Sequence, residues 1–340
     1  MIITARLTIL LACVVAALAS QLPGSNSEGV SISETHVLGQ PLVVEGLTVW
    51  PVFSSASRGH SIDALPLHVA QEHGFVTVRD SGDVNKVSIQ NSSRVPVVVL
   101  AGTLIKGGYQ DRLLAVDIVI PAGKSLRVDA FCVEAGRWSD RREGARTRGY
   151  FSAQEVLAPH ASRTSGQHAR SQRAVWESVG LANTIAGKAP ATGTLMASVE
   201  DENPTALATR QRVAEAVLDH FASTELEDHV LVGLAYAVGR KVREVRIFDD
   251  PQLFGLYLDA LVNTLGVEAD LAKRGKQKTR RKASAADVAE LVRRARALEE
   301  RSVLEKAGNR IVTAQNNKVA TSATFLKGAD NPIVIQYTAK

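Results

Sequence analysis

Apolar and polar positions alternate along most of the first half of the chain, which predicts strands. Gly46 to Phe53 alternates with a period of two, as do Phe75 to Arg79 and Val84 to Gln90. Val95 to Leu100 is almost continuously apolar, the pattern of a strand covered on both faces. Leu113 to Ile120 and Leu126 to Val133 continue the series, joined by a turn at Pro121-Ala122-Gly123. Leu65 to His73 has helical spacing and stops at Gly74. This half therefore predicts antiparallel sheets with one short helix.

The pattern changes after Trp138. Ser139 to Gln167 is polar and rich in Gly and Ser, and predicts a long surface loop with solvated arginines. Helical spacing follows, with Gln172, Trp176 and Val179 on one face. Asn203-Pro204 is a helix start, an N-cap residue before proline at the first helical position. Val213, Val217, His220 and Phe221 form its stripe, with His220 expected to be packed and hydrogen-bonded. Val230–Val238 and Val242–Phe248 around Gly239-Arg240 predict a hairpin. Asp250-Pro251 opens a helix with the stripe Phe254, Leu258, Leu261, Val262 and Leu265, and Gly266 is its expected C-cap. Ser284 with Asp287 makes a capping-box pattern before Val288, Leu291, Val292, Ala295 and Leu298. Arg310–Ala314, Val319–Leu326 and Ile333–Tyr337 end the chain as strands, with a turn at Asn316-Asn317. The fold class is α+β. A β-rich N-terminal half of antiparallel sheets packs with a helical C-terminal half that holds a β-hairpin and terminal strands, because the helix stripes need a surface to cover.

The first residues carry an address rather than a fold. Arg6, the apolar run Leu7–Leu18 and the small-x-small triplet Ala17-Leu18-Ala19 fit a cleavable signal peptide at residues 1–20. The run is shorter than the ~20 residues of a membrane span. Leu10-Leu11-Ala12-Cys13 resembles a lipoprotein box, but it comes early and apolar residues follow it, so anchoring at Cys13 is not expected. The expected location is secreted or periplasmic. Residues 21–36 read as a flexible leader. Removing the signal leaves Cys132 as the single cysteine, so no intrachain disulfide holds the exported fold. Cys132 is expected as a small buried hydrophobe. The net charge of +5 is concentrated in seven cations from Lys273 to Lys282. That segment reads as a basic loop open to an anionic surface, and the rest of the chain is mildly acidic. No sequence-specific nucleic-acid binding is expected.

Standard catalytic motifs are missing. One mature cysteine excludes thiolate zinc sites, and no H-x-H or H-x-x-x-H pair occurs. There is neither a G-x-S-x-G elbow nor a phosphate loop after Gly107-Gly108. No cofactor and no metal are expected. The candidate site is the Gly102–Trp138 region, with Gly-Gly-Tyr-Gln-Asp-Arg at 107–112 and Cys-Val-Glu-Ala-Gly-Arg-Trp at 132–138. Leu126, Val128, Ala130 and Cys132 share a strand face, and Glu134 continues it. A carboxylate there is paired, exposed at a strand end, or raised in pKa. Arg112 and Arg137 are its candidate partners, with Gly136 expected at a positive-φ corner. The candidate pocket is Gln110, Asp111, Arg112, Glu134 and Arg137, walled by Trp138. The alternative is a Glu–Arg clamp tying two strand ends together.

These residues resemble the ARG and Rhodanese-Phosphatase-superfamily-associated protein domain. The resemblance rests on Gly-Gly-x-Gln-Asp-Arg, a β-run to Pro-Ala-Gly, and Cys-Val-Glu-x-Gly-Arg-Trp. Leu47–Pro51, Gln172 with Trp176, and Val242–Phe254 support it. It covers Gly39 to Leu271 and places a family-like α+β domain at 37–271, a basic linker at 272–284, and a C-terminal helix with strands at 285–340. The chain departs from the family pattern in its signal peptide and its basic segment. The resemblance implies little chemistry, only a nucleotide- or ADP-ribose-linked role by the association in the family's name. Three functions stay open: an exported module binding a small molecule or protein through Gly102–Trp138, a hydrolase with Glu134 as general base, and a structural surface protein.

Overall fold

The computed structural model describes residues 29–55, 62–277 and 281–340. The signal peptide expected at 1–20 and basic residues Lys278 and Arg280 lie outside the described residues. Strand Leu47–Ser54 is buried along its whole length. Leu47 and Val49 enter one core, Trp50 and Val52 the other, so both faces of this strand are covered. It lies inside a ten-stranded antiparallel sheet. On one side it pairs with His36–Leu38, and on the other with the hairpin strand Val230–Val238. The sheet continues through Lys241–Phe248, Val334–Ala339, Val319–Leu326 and Asn309–Gln315, and ends at Arg301–Lys306. The two halves of the sequence are thus joined in one sheet.

The other N-terminal strands close a six-stranded barrel: Arg112–Leu114, Ser125–Cys132, Lys86–Asn91, Val76–Asp80, Tyr150–Leu157 and Thr103–Gly107. Val78, Val87, Ile89, Ile105, Leu114, Val128 and Phe151 belong to its core. The apolar series Leu113–Ile120 is split. Arg112–Leu114 stays in the barrel, while Ile118–Ile120 pairs with Val97–Val99 in a small separate sheet. The break falls at Asp117, whose carboxylate accepts from the Ala101 amide at 2.8 Å.

Local start signals behave as their chemistry dictates. Asn203 accepts from the Thr205 amide to open Pro204–Ser223, and Asp250 accepts from the Gln252 amide to open Pro251–Arg274. Ser284 and Asp287 form a reciprocal capping box on Ala285–Arg296. His220 is hydrogen-bonded, its Nε2 lying 2.8 Å from the Gln40 carbonyl. Helix Ala285–Arg296 covers the Trp50 face of the large sheet, while Pro204–Ser223 and Pro251–Arg274 cover the Leu47 face. Among the described residues no helix is long and apolar enough to cross a membrane.

Three expectations are corrected. Ser139–Gln167 is not a long loop: it forms the small hairpin Arg141–Arg142/Ala145–Arg146, the barrel strand Tyr150–Leu157 and helix His160–Gln167. Arg142 and Arg163 within it reach the buried carboxylates of Asp111 and Glu244, while Arg141, Arg146 and Arg148 stay exposed. Gly266 does not stop its helix, which runs on through Arg274. There the missing side chain lets the backbone of Arg210 approach, since a Cβ would lie 3.2 Å from Arg210 Cα. On helix Gln172–Ile185 the buried positions include Val175 and Val179, while Trp176 is exposed.

Candidate functional site

Strand Ser125–Cys132 delivers Glu134 just beyond its end, beside the loop that precedes Arg112–Leu114. Glu134 is only 2% exposed. Its Oε2 accepts from the Asp111 amide at 2.9 Å and from Arg137 Nε at 2.8 Å, with Arg137 Nη2 at 2.7 Å. Arg137 also donates to the carbonyls of Gly107 and Gly108, both at 2.8 Å, and to that of Ser139 at 2.9 Å. Gln110 Nε2 donates to the Glu134 carbonyl at 2.8 Å. Asp111 takes Arg142 Nε at 3.1 Å and Thr194 Oγ1 at 2.8 Å. Burial alone would raise the Glu134 carboxyl. The bonds from Arg137, the Asp111 amide and Thr192 outweigh it and hold the group below its usual range.

The structure brings Gln110, Asp111, Glu134 and Arg137 together and sends the other two candidates elsewhere. Arg112, fully buried, donates to the Val84 carbonyl and to Cys132 Sγ, the latter at 3.0 Å, and its Nη2 lies 3.8 Å from Asp80. Burial pushes the Cys132 thiol up, away from thiolate reactivity. Trp138 is 60% exposed and stacks on Tyr109 at 5.5 Å, on the surface and outside the Glu134 cluster. Gly136 is not at positive φ. A Cβ there would stand 3.0 Å from Thr192 Cα, so the glycine serves a close approach in which its amide donates to the Thr192 carbonyl. Gln172 fastens the neighbouring helix to this strand end, accepting from the Cys132 amide at 2.9 Å and donating to its carbonyl at 2.8 Å.

A second polar assembly lies between helix His160–Gln167 and the large sheet. Across the ladder, Tyr236 stands opposite Glu244 and Glu244 opposite Thr338. One step along, Arg246 stands opposite Gln336 and Gln336 opposite Ser322. All are buried. Arg163 from the helix donates to Glu244 at 2.8 Å and to the Tyr236 hydroxyl at 3.0 Å. Arg246 donates to Glu244 at 2.7 Å and to Asp117 at 3.2 Å. Gln167 Nε2 is 3.3 Å from the other oxygen of Asp117. Burial opposes ionisation of Glu244, but Arg163 and then Arg246 prevail and pull its pKa to about 2. Gly102, at φ +91°, makes room for this layer, because a Cβ would sit 2.3 Å from Arg163 Cδ.

Several atoms of this layer have no protein partner: Gln167 Oε1, His168 Nε2, His160 Nδ1, Arg246 Nη2, Gln336 Oε1 and Thr338 Oγ1. Buried polar atoms are ordinarily hydrogen-bonded to something, so such a concentration marks a place for water or a ligand. His160 and His168 are held neutral mainly by burial, at about 3 and about 4. His160 Nε2 lies 2.9 Å from the Ala339 carbonyl, which fixes the proton on Nε2 and leaves Nδ1 a bare acceptor. Gln167 and His168 also line a cavity of about 350 Å³ with Asp129, Arg170, Gln315 and Ser322. Apolar wall is supplied by Ala115, Val116, Leu304 and Ile311. Arg170 and Asp129 pair at 2.6 Å at its mouth. A row of cross-strand partners, Arg246, Gln336, Ser322, Thr313 and Ser302, leads from the buried layer across the cavity wall to the sheet edge.

None of these cavity residues was singled out in the sequence, although Ala115, Val116 and Asp129 fall within the Gly102–Trp138 region. The available signal was the alternation of Glu244 with Arg246 and of Gln336 with Thr338, which ordinarily marks a solvent face. Lys273 and Arg274 of the basic segment belong to a helix end and are paired, Lys273 with Glu45 at 3.1 Å and Arg274 with Asp201 at 2.8 Å. Among the described residues no three His, Cys, Asp or Glu side chains converge as metal ligands.

No curated protein and no solved structure matches the chain. The model of one family spans residues 35–339, nearly everything the structure describes and further at both ends than the motifs around Glu134 reach. The chain therefore belongs to the family of the ARG and Rhodanese-Phosphatase-superfamily-associated protein domain.

Proposed function

We propose that the chain is a binding module that holds a small, uncharged, hydrogen-bonding molecule in the cavity beside helix His160–Gln167. The signal-peptide pattern in the sequence of residues 1–20 supports an exported location. The observation that carries the reading is the group of buried polar atoms without protein partners behind a cavity large enough for a ligand. The Gly102–Trp138 region takes part through Val116, Asp117 and Asp129, which lie in it. A neutral ligand is favoured because the charges are already matched: Arg246 with Asp117 and Glu244, Arg163 with Glu244, Arg170 with Asp129. A diphosphate such as that of ADP-ribose would have to displace a carboxylate from one of these arginines. The open atoms are two amide oxygens, a hydroxyl, two ring nitrogens and one guanidinium nitrogen whose charge is already matched by Asp117 and Glu244, a set that suits a polyol, a sugar or an amide.

The hydrolase reading is disfavoured. Glu134 is buried, its Oε2 held by Arg137 and the Asp111 amide, and lowered in pKa, whereas a general base needs a raised one and reach to substrate. Its cluster serves the module as a clamp that fixes two strand ends.

A thermal-shift panel of polyols, monosaccharides, amides and nucleosides, with ADP-ribose as a charged comparator, tests the proposal. A ligand at a hundred times its dissociation constant stabilises the fold by about 2.7 kcal/mol. The shift should vanish in Gln167→Ala and persist in Trp138→Ala. A panel without any shift, or a shift with the opposite dependence, would sink the proposal.

A further inference from the structure

We propose that strand Arg301–Lys306 is a dimer edge, pairing antiparallel with the same strand of a second copy about a two-fold axis at Val303. This strand ends the large sheet, and among the described residues nothing pairs with its outer side. Its ladder with Asn309–Gln315 is regular over all six residues, without a bulge. Arg301 to Glu305 are all exposed, Val303 at 59% and Leu304 at 44%. Natural sheets blunt a free edge with bulges, prolines or inward charges, because an open row of amides and carbonyls invites another strand. This edge has no bulge and no proline, and its charges, Arg301, Glu305 and Lys306, flank two adjacent apolar side chains.

The sequence of the strand says which partner fits. In an antiparallel pair, opposed residues point their backbone groups the same way, so two copies of one strand can pair about a residue but not about a peptide bond. That leaves three central choices. An axis at Ser302 sets Glu299 against Glu305, a like-charge pair. An axis at Leu304 sets Val303 against Glu305 and Ser302 against Lys306, with no ion pair. An axis at Val303 sets Val303 against itself, Arg301 against Glu305 of the partner subunit, and Glu300 against Lys306 of the partner subunit. By symmetry each ion pair occurs twice, the isologous arrangement of a two-fold dimer. Glu305 already stands opposite Arg310 in its own sheet, so the charges alternate across the joint. Lys306 donates to the Arg127 carbonyl and keeps further ammonium hydrogens for a carboxylate. On the other face Ser302 meets Leu304 of the partner subunit. Ser302 borders the cavity, so the second copy would extend its rim.

Sedimentation velocity over two decades of concentration reads the monomer–dimer balance of the purified protein. Arg301→Glu alone and Glu305→Arg alone each turn two attractive cross-strand pairs repulsive and should weaken dimerisation about tenfold. The double variant restores opposite charges and should return to within about twofold of the parent. Val303→Glu, at an exposed position, opposes two carboxylates on the axis and should leave folded monomer whose melting temperature no longer rises with protein concentration. A parent that is monomeric throughout overturns the proposal. So does a dimer indifferent to the single reversals, or one that the double variant fails to recover.

Discussion

Replacing His168 with glutamine should flatten the loss of stability between pH 7 and pH 5. His160 and His168 are buried and held neutral, at about 3 and about 4. In the unfolded chain each returns to about 6.5. Below pH 6.5 the unfolded state therefore binds protons that the folded state refuses, and stability falls as pH falls, continuing down toward the folded-state values. At pH 5 the uptake by the unfolded state lowers stability by about 2 kcal/mol per histidine, against about 0.2 kcal/mol at pH 7. The two together cost about 4 kcal/mol over that interval. His36 and His68, also displaced downward, act in the same direction, while Asp80 and Glu155, displaced upward, oppose it. The difference between parent and His168→Gln cancels these shared contributions. Lowered carboxylates such as Glu244 contribute only near and below the usual carboxylate range, outside this window. Urea unfolding at pH 7, 6 and 5 measures the effect. The variant should lose about 2 kcal/mol less than the parent across the interval. Equal losses would mean that His168 titrates normally in the fold, and that the layer beneath the helix is open to water.

Other perturbations separate the two polar assemblies. Glu134→Gln leaves Arg137 buried without its full counter-charge and should cost about 3 kcal/mol in chemical denaturation. It should not alter binding of any compound found in the thermal-shift panel. Gly102→Ala forces a side chain onto Arg163 at a backbone angle that favours glycine, and should lower stability by about 2–3 kcal/mol. Because Arg163 is one of the two arginines holding Glu244, the same variant should weaken ligand binding. Stability lost with binding intact would show that the layer does not shape the cavity.

What the sequence made legible was local. The caps at Asn203, Asp250 and Ser284 are decided within a few residues, and each appears where its chemistry demands. The Glu134–Arg137 pair, three residues apart, was visible as a possible clamp for the same reason. Arg112 was not, because its direction depends on Val84 and Asp80 across the barrel. Ser139–Gln167 misled because its polarity suggested water, whereas Arg142 and Arg163 find carboxylates far along the chain at Asp111 and Glu244. The cavity layer stayed hidden most completely. Glu244, Arg246, Gln336 and Thr338 alternate with apolar residues like any half-solvated strand. Only tertiary packing, by helix His160–Gln167 together with Asp117 and Pro251–Arg274, turns that face inward and buries it.

The most direct test of the central claim is diffraction from crystals soaked with the best compound of the neutral panel. The account predicts ligand density in the cavity, within hydrogen-bond reach of Gln167 Oε1 and His168 Nε2. Density on the Tyr109–Trp138 surface with an empty cavity, or a panel in which no compound binds at all, would contradict it.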